Sequence, residues 1–252
     1  MARLTPAVLR ALDILELFLT AGSKLTAADV QAATDLPRTT VHELLTTLAS
    51  RDYLRKEESG AYTLGVKPLQ LGNAYAARFD LLGAANEAAR ELAQATEQTS
   101  SVAVLEQADV FYLAKVEGRD VVPLASSVGK RVPANCTGLG KALLAQLSDD
   151  ALERLYPSGK LPVLTDNSIA KLADLKKAVA KIREDGYATE LEESGPGAAC
   201  VAAPIWNGAG ECVAAISISL PAARFRQQPE AEWAALVVGA ANAFGVKLGH
   251  RP

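Results

Sequence analysis

The sequence predicts an α+β protein with a small helical N-terminal domain and a larger C-terminal domain built on an antiparallel sheet. Its 252 residues suffice for two ordinary domains. Apolar residues at helical spacing fill the first 50 positions, and two β-prone runs follow them. From about residue 101 onward, β-branched runs joined by turn residues alternate with helical segments, a pattern typical of a sheet with helices packed on it.

Three helices open the chain. The first has Thr5 as N-cap and Pro6 at its first position, the second follows the cap Thr26, and the third starts at Pro37. The apolar stripe of the first helix comprises Val8, Leu9, Leu12, Leu15 and Leu19, widened by Ile14 and Phe18. The apolar face of the third helix comprises Val41, Leu44, Leu45 and Leu48.

A hairpin follows the third helix, with β-prone residues at 53–54 and 62–64 on either side of a Ser59-Gly60 turn. Three helices and a hairpin, with a short turn between the second and third helices, make a winged helix-turn-helix. We assign this domain to residues 1–66 and a linker helix, helical after Pro68, to residues 67–82.

We assign the α+β domain to residues 83–252. Strands are expected at 101–107, 110–117, 121–128, 187–192, 200–206 and 212–220. Helices are expected at about 84–98, 138–146, 148–155, 168–185 and 229–248.

Charge, apolar runs and cysteine content argue against several classes of protein. The net charge is −3, and residues 1–80 hold nine Lys/Arg and nine Asp/Glu, so any DNA affinity must come from a local cluster. No apolar run reaches the roughly 18 residues of a membrane span, and the N-terminus lacks a secretory signal. Three Cys without a C-x-x-C and two His argue against a disulfide framework and a metal centre. We expect a cytoplasmic protein with no cofactor and no metal.

The third helix has the chemistry of a DNA-reading helix. Its polar side chains face away from the apolar set, and its N-terminal residues would meet base edges and phosphates in a major groove. Two basic residues at the hairpin would follow the backbone. The candidate DNA-binding residues are Arg38, Thr39, Thr40, His42, Glu43, Thr47, Arg55 and Lys56. The alternative is a small helical bundle used for protein contacts.

Several segments resemble the IclR family of transcriptional regulators, in order and along nearly the whole chain. They are RALDILELF (10–18), LPRTTVHELLTTL (36–48), YLRKEESGAYTLG (53–65), VGKRVPANCTGLGKALLA (128–145), GYATELEE (186–193), CVAAPI (200–205) and AISISLPAARF (215–225). The resemblance implies an N-terminal winged helix-turn-helix, a linker helix and a C-terminal GAF-like effector-binding domain. It also implies dimers or dimers of dimers.

The resemblance further implies where the effector binds. Family ligand positions match Gly138, Leu139, Glu190, Cys200, Ser217 and Ser219. The sequence departs from the family at Glu43, where a basic residue is common. Either the operator preference is shifted, or the helix relies more on Arg38 and Thr40. The alternative is a solvated residue at the edge of the groove.

The residues themselves allow more than one interpretation of these positions. Backbone N–H groups at Gly138 and Leu139 open a helix and predict an anion site, although a simple helix cap is the alternative. The GLGK string lacks the spacing of a phosphate-binding P-loop. Strand alternation places Glu190 and Glu192 on one face, which is either a binding surface or a solvated edge.

The strand AISIS alternates Ser217 and Ser219 with isoleucines, which favours a polar pocket over a wet surface. No neighbouring base activates Cys200 or Cys212, so no catalytic residue is assigned.

These observations predict a ligand-responsive transcriptional regulator, repressor or activator, that binds double-stranded DNA at an imperfect palindrome. The wide apolar face of the first helix predicts at least a dimer. We expect an organic-acid effector with its carboxylate at the Gly138 and Leu139 amides and Glu190 facing its other end. Two alternatives stay open: an enzyme using Cys200 and Glu190 on a small acid, and a protein-interaction module.

Overall fold

A computed structural model describes residues 4–20, 23–76, 81–119 and 126–251, with the side chains of 73–76 left aside. The chain folds into two compact units, residues 1–80 and 81–252. Each unit is described by itself.

The first unit has the predicted order of three helices, a hairpin and a further helix. The helices are α1 (Pro6–Thr20), α2 (Ala27–Thr34), α3 (Arg38–Ser50) and α4 (Val66–Ala76). The hairpin pairs strands β1 (Leu54–Lys56) and β2 (Tyr62–Leu64) in antiparallel register.

Local signals set the bounds of these helices. Thr26 caps α2 and forms a capping box with Asp29, which satisfies amides at the helix start. Asp35 adopts a left-handed conformation (φ 52°), which ends α2 and turns the chain into α3. α4 starts at Val66, two residues before the predicted Pro68, because proline is tolerated in a first turn where no intrahelical N–H bond is needed.

The core of the first unit uses a different face of α1 from the predicted stripe. Ile14 and Phe18 are buried with Val41 and Leu45 of α3 and Tyr62 of the hairpin. The predicted stripe stays largely in solvent, because the small core is filled by the two residues that were expected only to widen it. Its exposed members are Val8, Leu9, Leu12 and Leu19, and Leu4, just ahead of the helix, is exposed as well.

The second unit combines a sheet with helices on both faces. Its helices are α5 (Leu81–Thr96), α6 (Gly138–Leu144), α7 (Asp149–Leu155), α8 (Leu172–Asp185), α9 (Ala222–Phe225) and α10 (Glu230–Lys247). Its strands are β3 (Thr99–Glu106), β4 (Asp109–Val116), β5 (Arg131–Pro133), β6 (Ala188–Leu191), β7 (Ala198–Trp206) and β8 (Cys212–Pro221).

The strands described form an antiparallel sheet in the order β5-β4-β3-β8-β7-β6. Helices α5 and α10 pack on one face, against an apolar layer that includes Val201, Ile216 and Ile218. Helices α6, α7 and α8 supply the core on the other face. The predicted α+β architecture with an antiparallel sheet is confirmed.

Some element predictions need correction. Of the strand predicted at 121–128, residues 121–125 lie outside the described residues, and 126–128 are not a strand. The short β5 pairs with β4 instead. α8 begins at Leu172 rather than 168. The segment before it turns at Ser168, whose hydroxyl accepts from the backbone N–H groups of Leu164 and Thr165. The short α9 was not predicted.

Candidate DNA-binding surface and effector site

Helix α3 separates its two faces as a DNA-reading helix must. Val41, Leu45 and Leu48 are buried in the core of the first unit. Thr40 is half-buried at the edge. The remaining candidates on the helix are exposed together on the opposite side, namely Arg38, Thr39, His42, Glu43 and Thr47. The fold therefore brings the predicted residues of this helix to one accessible surface.

The first turn of α3 offers backbone donors as well as side chains. Pro37 is the N-cap residue and makes no side-chain cap bond. The first-turn amides can therefore bond to a phosphate oxygen, in an environment where the helix dipole favours negative charge. At the other end of the surface, the Thr47 hydroxyl donates to the carbonyl of Glu43 at 2.7 Å. Thr47 thus retains its oxygen lone pairs and methyl group for contacts with bases.

The hairpin presents its two candidate cations on exposed positions. Arg55 and Lys56 are exposed on β1, and the Lys56 ammonium lies 5.8 Å from the centre of the Tyr62 ring. The turn end of the hairpin is tied to the segment before α2 by an ion pair between Lys24 and Glu57, 2.8 Å apart. This arrangement is compatible with a wing that follows a DNA backbone.

In the second unit, the predicted effector residues meet on one face of the sheet. Cys200 pairs with Glu190 of β6 and with Ser219 of β8, and antiparallel partners point to the same side. Ser217 pairs with Ser101 of β3, and Ser219 pairs with Thr99. We call this set, Thr99, Ser101, Glu190, Cys200, Ser217 and Ser219, the polar strip.

The polar strip is buried, as the interpretation of AISIS as a pocket strand requires. Ser217 is fully buried, and its hydroxyl has no hydrogen-bond partner among the described residues. A buried hydroxyl without a partner carries a desolvation cost that a bound ligand would relieve.

Glu190 is held by the loop that follows its own strand. Its Oε1 accepts from the backbone N–H of Glu193 at 2.6 Å and of Ser194 at 2.8 Å. Burial raises the pKa of Glu190 to about 6, although these two bonds oppose the shift. The carboxylate therefore titrates close to physiological pH.

The prediction that Glu190 and Glu192 share a face is wrong. Glu192 has a left-handed backbone (φ 59°) beyond the end of β6, which breaks the strand alternation. Its carboxylate accepts from the Gly197 amide and pairs with Arg226, 3.5 Å away. Glu192 therefore stabilises the loop and lies off the polar strip.

Helix α6 starts against the strip because residue 138 is glycine. A Cβ at this position would lie 2.8 Å from the Cys200 sulfur, so a larger residue would force the two apart. The Thr137 hydroxyl caps the helix by accepting from the Gly140 amide. Gly138 and Glu190 thus flank the same cysteine.

Two residues that the sequence did not single out, Lys141 and Tyr112, complete the candidate site. Lys141 of α6 is buried and pairs with Glu193, with 2.5 Å between Nζ and Oε1. Tyr112 of β4 is buried on the same side of the sheet, and burial, with smaller contributions from Cys200 and Glu190, raises the pKa of its hydroxyl. The alternation in Thr99-Ser100-Ser101 was a usable signal for the strip, whereas Lys141 and Tyr112 carry no local signal.

The cysteines have the properties of buried structural residues. Burial raises the pKa of Cys200 to about 12 and that of Cys212 to about 11. A thiol with so high a pKa is protonated at neutral pH and is a poor nucleophile. Within the described part of the chain, no group of His, Cys, Asp and Glu is arranged to hold a metal ion. None of the described helices is long and apolar enough to cross a membrane.

Comparison with known proteins finds a family match for each of the two units. Residues 7–58 match the IclR helix-turn-helix domain, and residues 73–245 match the family Bacterial transcriptional regulator IclR C-terminal. The HTH-type transcriptional regulator XynR of Escherichia coli K12 is 34% identical over 214 residues, covering 84% of this chain and 85% of XynR.

Solved structures share the fold over almost the whole chain. IclR of Thermotoga maritima has a TM-score of 0.79 at 25% identity, covering 96% of this chain and 98% of its own. An IclR homolog of Microbacterium hydrocarbonoxydans, complexed with 4-hydroxybenzoate, has a TM-score of 0.86 at 22% identity, with coverages of 96% and 98%. Because the relatives are named as transcriptional regulators, the hypothesis of an enzyme using Cys200 and Glu190 is set aside. The chain belongs to the IclR family of bacterial transcriptional regulators.

Proposed function

We propose that this regulator binds an imperfect palindrome in double-stranded DNA as a dimer or a dimer of dimers, and responds to an organic acid in its second unit. The domain boundaries that we propose are 1–66 for DNA binding, 67–82 for the linker helix and 83–252 for effector binding. The observation that carries the proposal is the buried polar strip beside the start of α6, in the same chain as the exposed polar face of α3.

The DNA contacts would be divided between reading and positioning. Arg38 and Thr40 stand at the start of α3, where side chains reach base edges. Arg55 and Lys56 of the hairpin would contact phosphates, which positions the protein without reading sequence. Glu43 lies on the same exposed surface, where it would repel phosphate or accept from a cytosine amine.

A second copy of the chain is the partner that α1 fits. Val8, Leu12 and Leu19 repeat at helical spacing along α1, and each is about half exposed or more, as is Leu4 just ahead of the helix. A continuous apolar stripe of this kind marks an interaction surface. Two copies related by a twofold axis would also place two recognition helices on inverted half-sites.

The oligomer is tested by sedimentation of the full chain at micromolar concentration. We expect at least a dimer, and a smaller mass for Leu12→Glu, which puts a charge in the stripe. Gln31→Glu changes an exposed polar residue on α2 and serves as the matched control. A monomeric parent protein would contradict the proposal.

The effector would contact Gly138 and Leu139 through their backbone, and Glu190, Cys200, Ser217 and Ser219 through their side chains. Hydroxyls and backbone amides beside an apolar sulfur suit an organic acid with a second polar group. The 4-hydroxybenzoate complex of the Microbacterium homolog makes this compound a rational first probe. A regulator that must reach DNA and keeps three thiols without a disulfide belongs in the cytoplasm.

The DNA-binding proposal is tested by selecting sites from a random DNA library with the full chain. We expect enriched sequences with two inverted half-sites whose centres are separated by about 10 base pairs or a multiple of that. Failure to enrich any sequence at low salt would favour a protein-interaction module instead.

A further inference from the structure

Tyr112 is a large side chain on the face of the sheet that carries the polar strip. It lies on β4 opposite Ala103 of β3, and Ala103 lies opposite Ala215 of β8. Directly opposite residues of antiparallel strands point to the same side. Ser101 and Ser217 of the strip stand two residues away from these alanines along β3 and β8, so strand alternation places them on this face as well. Tyr112 is therefore separated from the serine strand β8 only by β3.

The face of the sheet changes from polar to apolar beside Tyr112. Ala103 and Ala215 stand where the hydroxyls of the strip end, and both belong with Tyr112 to the buried apolar cluster on the α6 side of the sheet. Alanine side chains are too short to fill the space above the strands, so a long side chain from β4 has room to extend over them. A buried tyrosine at such a border packs its ring on apolar atoms and turns its hydroxyl to a polar neighbour.

The electrostatics of the Tyr112 hydroxyl agree with this orientation. Burial is the main cause that raises its pKa, and the strip residues Cys200 and Glu190 add to the shift, while Ser126 opposes it. The phenol is therefore neutral at physiological pH and brings no charge to the strip.

The ring leaves a short space over the serines. The backbones of β4 and β8 are two interstrand spacings apart, about 10 Å, and the Tyr112 side chain rises between them from the β4 side. A molecule bound at the partnerless Ser217 hydroxyl would meet Tyr112 in the direction of β4 and Cys200 in the direction of β7. Both are buried, so neither direction opens freely to water.

We propose that Tyr112 sets the upper size limit of the effector, with its ring as the wall of the site on the β4 side. The effector is then a short-chain organic acid of about two to four carbons, a length that fits within one interstrand spacing of about 5 Å. This inference rests on the proposed function, in which the polar strip binds an organic acid. It identifies Tyr112 as a residue that sets specificity for chain length.

The test measures affinity against chain length. The probes are straight-chain 2-hydroxy acids of two to eight carbons, titrated calorimetrically into the full chain. Each methylene that reaches an apolar surface adds about fourfold in affinity, so the chain length beyond which affinity falls marks the wall. We expect the parent protein to bind most tightly at about four carbons or fewer.

Shortening Tyr112 should move that limit. Tyr112→Val removes the ring and keeps a residue that favours strands. Its tightest binding should shift to chains longer by about two carbons, with a six-carbon acid gaining roughly tenfold over the parent. The bulkier 4-hydroxybenzoate should likewise bind Tyr112→Val more tightly than the parent. Tyr112→Phe keeps the ring and should keep the parental limit.

A second buried tyrosine provides the matched control. Tyr156 belongs to the same apolar cluster, but its hydroxyl bonds to the Ala108 carbonyl in the turn before β4, at the end of β3 away from the strip. Tyr156→Val should therefore keep the parental limit despite a comparable loss of core. If Tyr112→Val does not fold, Tyr112→Leu keeps more of the buried volume and should shift the limit in the same direction.

The outcomes separate this inference from the proposed function. A parental chain-length limit in the folded Tyr112→Val or Tyr112→Leu protein overturns the inference, and the organic-acid proposal stands. If no acid of the panel binds the parent or the Tyr112 variants, the organic-acid proposal fails and this inference fails with it.

Discussion

Lys141 and Glu193 form a buried ion pair that joins helix α6 to the loop after β6, with 2.5 Å between Nζ and Oε1. Both partners are connected to the proposed effector site. α6 begins at Gly138, and the backbone N–H of Glu193 donates to the Glu190 carboxylate. On the other side of this loop, the hydroxyls of Thr165 and Ser168 donate to the backbone carbonyls of Glu192 and Glu193, respectively. The loop that holds Glu190 is therefore fixed from two sides.

Breaking this pair on one side should destabilise the second unit. Lys141→Met leaves a buried carboxylate without its cation, at a cost of about 3–5 kcal/mol in the free energy of unfolding. Lys141→Met/Glu193→Leu removes both charges and should be more stable than Lys141→Met. Urea unfolding measures the free energy of unfolding of both variants. Lys176→Met removes a cation from an exposed ion pair and serves as the control, which should change stability far less. Equal stability of the two Lys141 variants would contradict this account.

Glu190 should make stability depend on pH. Its pKa is about 6 in the folded protein, above its ordinary value of 4.5, so the folded state binds the proton more tightly. Stability from this group is therefore present below pH 4.5 and lost as the pH rises to 6, by about 2 kcal/mol. Glu190→Gln can still accept the two loop N–H bonds and lacks the charge. It should exceed the parent in stability at pH 7.5, by a margin that shrinks toward pH 5. A margin independent of pH would rule out Glu190 as the titrating group.

Gly138 should be intolerant of a side chain because of one neighbour. In Gly138→Ala the new Cβ would lie 2.8 Å from the Cys200 sulfur, and such overpacking costs about 1–3 kcal/mol. Cys200→Ala removes that sulfur, so Gly138→Ala/Cys200→Ala should recover part of the loss in a thermal unfolding experiment. Gly83→Ala, at a helical glycine with open space around it, is the matched control. Additive effects of the two substitutions would show that this contact does not limit the site.

The features that the sequence predicted well are those with local signals. The capping box at Thr26, the turn before α3 and the hairpin lie within a few residues of the structure that they specify. The alternation of serines in β8 likewise predicted a buried polar face. For α1 the spacing predicted the helix but not its buried face, since Ile14 and Phe18 fill the core in place of the longer stripe.

Long-range pairings and irregular backbone could not be predicted from the sequence. Lys141 and Glu193 are 52 residues apart and meet through tertiary packing. Tyr112 and Lys115 would point to opposite faces in a regular strand. A register shift opposite Val102 and Ala103 brings them to the same side. Glu192 leaves the polar face for a similar reason, because its left-handed backbone ends the alternation.

Within the DNA-binding surface, reading and positioning residues should respond differently to substitution. Arg38→Ala and Thr40→Ala should each weaken binding to a selected site by about 1–3 kcal/mol, with unfolding unchanged. Arg55→Ala should reduce the slope of log affinity against log salt concentration, as loss of a phosphate contact does. Gel-shift titrations at fixed and varied salt give both values. If both α3 variants bind DNA with unchanged affinity, Arg38 and Thr40 do not contribute to the interface.

If one chain joins a DNA-reading surface to an acid-binding site, an acid that binds the parent protein should change its affinity for DNA. Fluorescence anisotropy on a selected DNA site, with and without such an acid, measures this coupling most directly. We predict that the acid changes the DNA affinity of the parent by about fivefold or more, a typical allosteric coupling. Ser217→Ala/Ser219→Ala should bind the same DNA with parental affinity and lose the response. If that variant responds to the acid as the parent does, the polar strip is not the effector site.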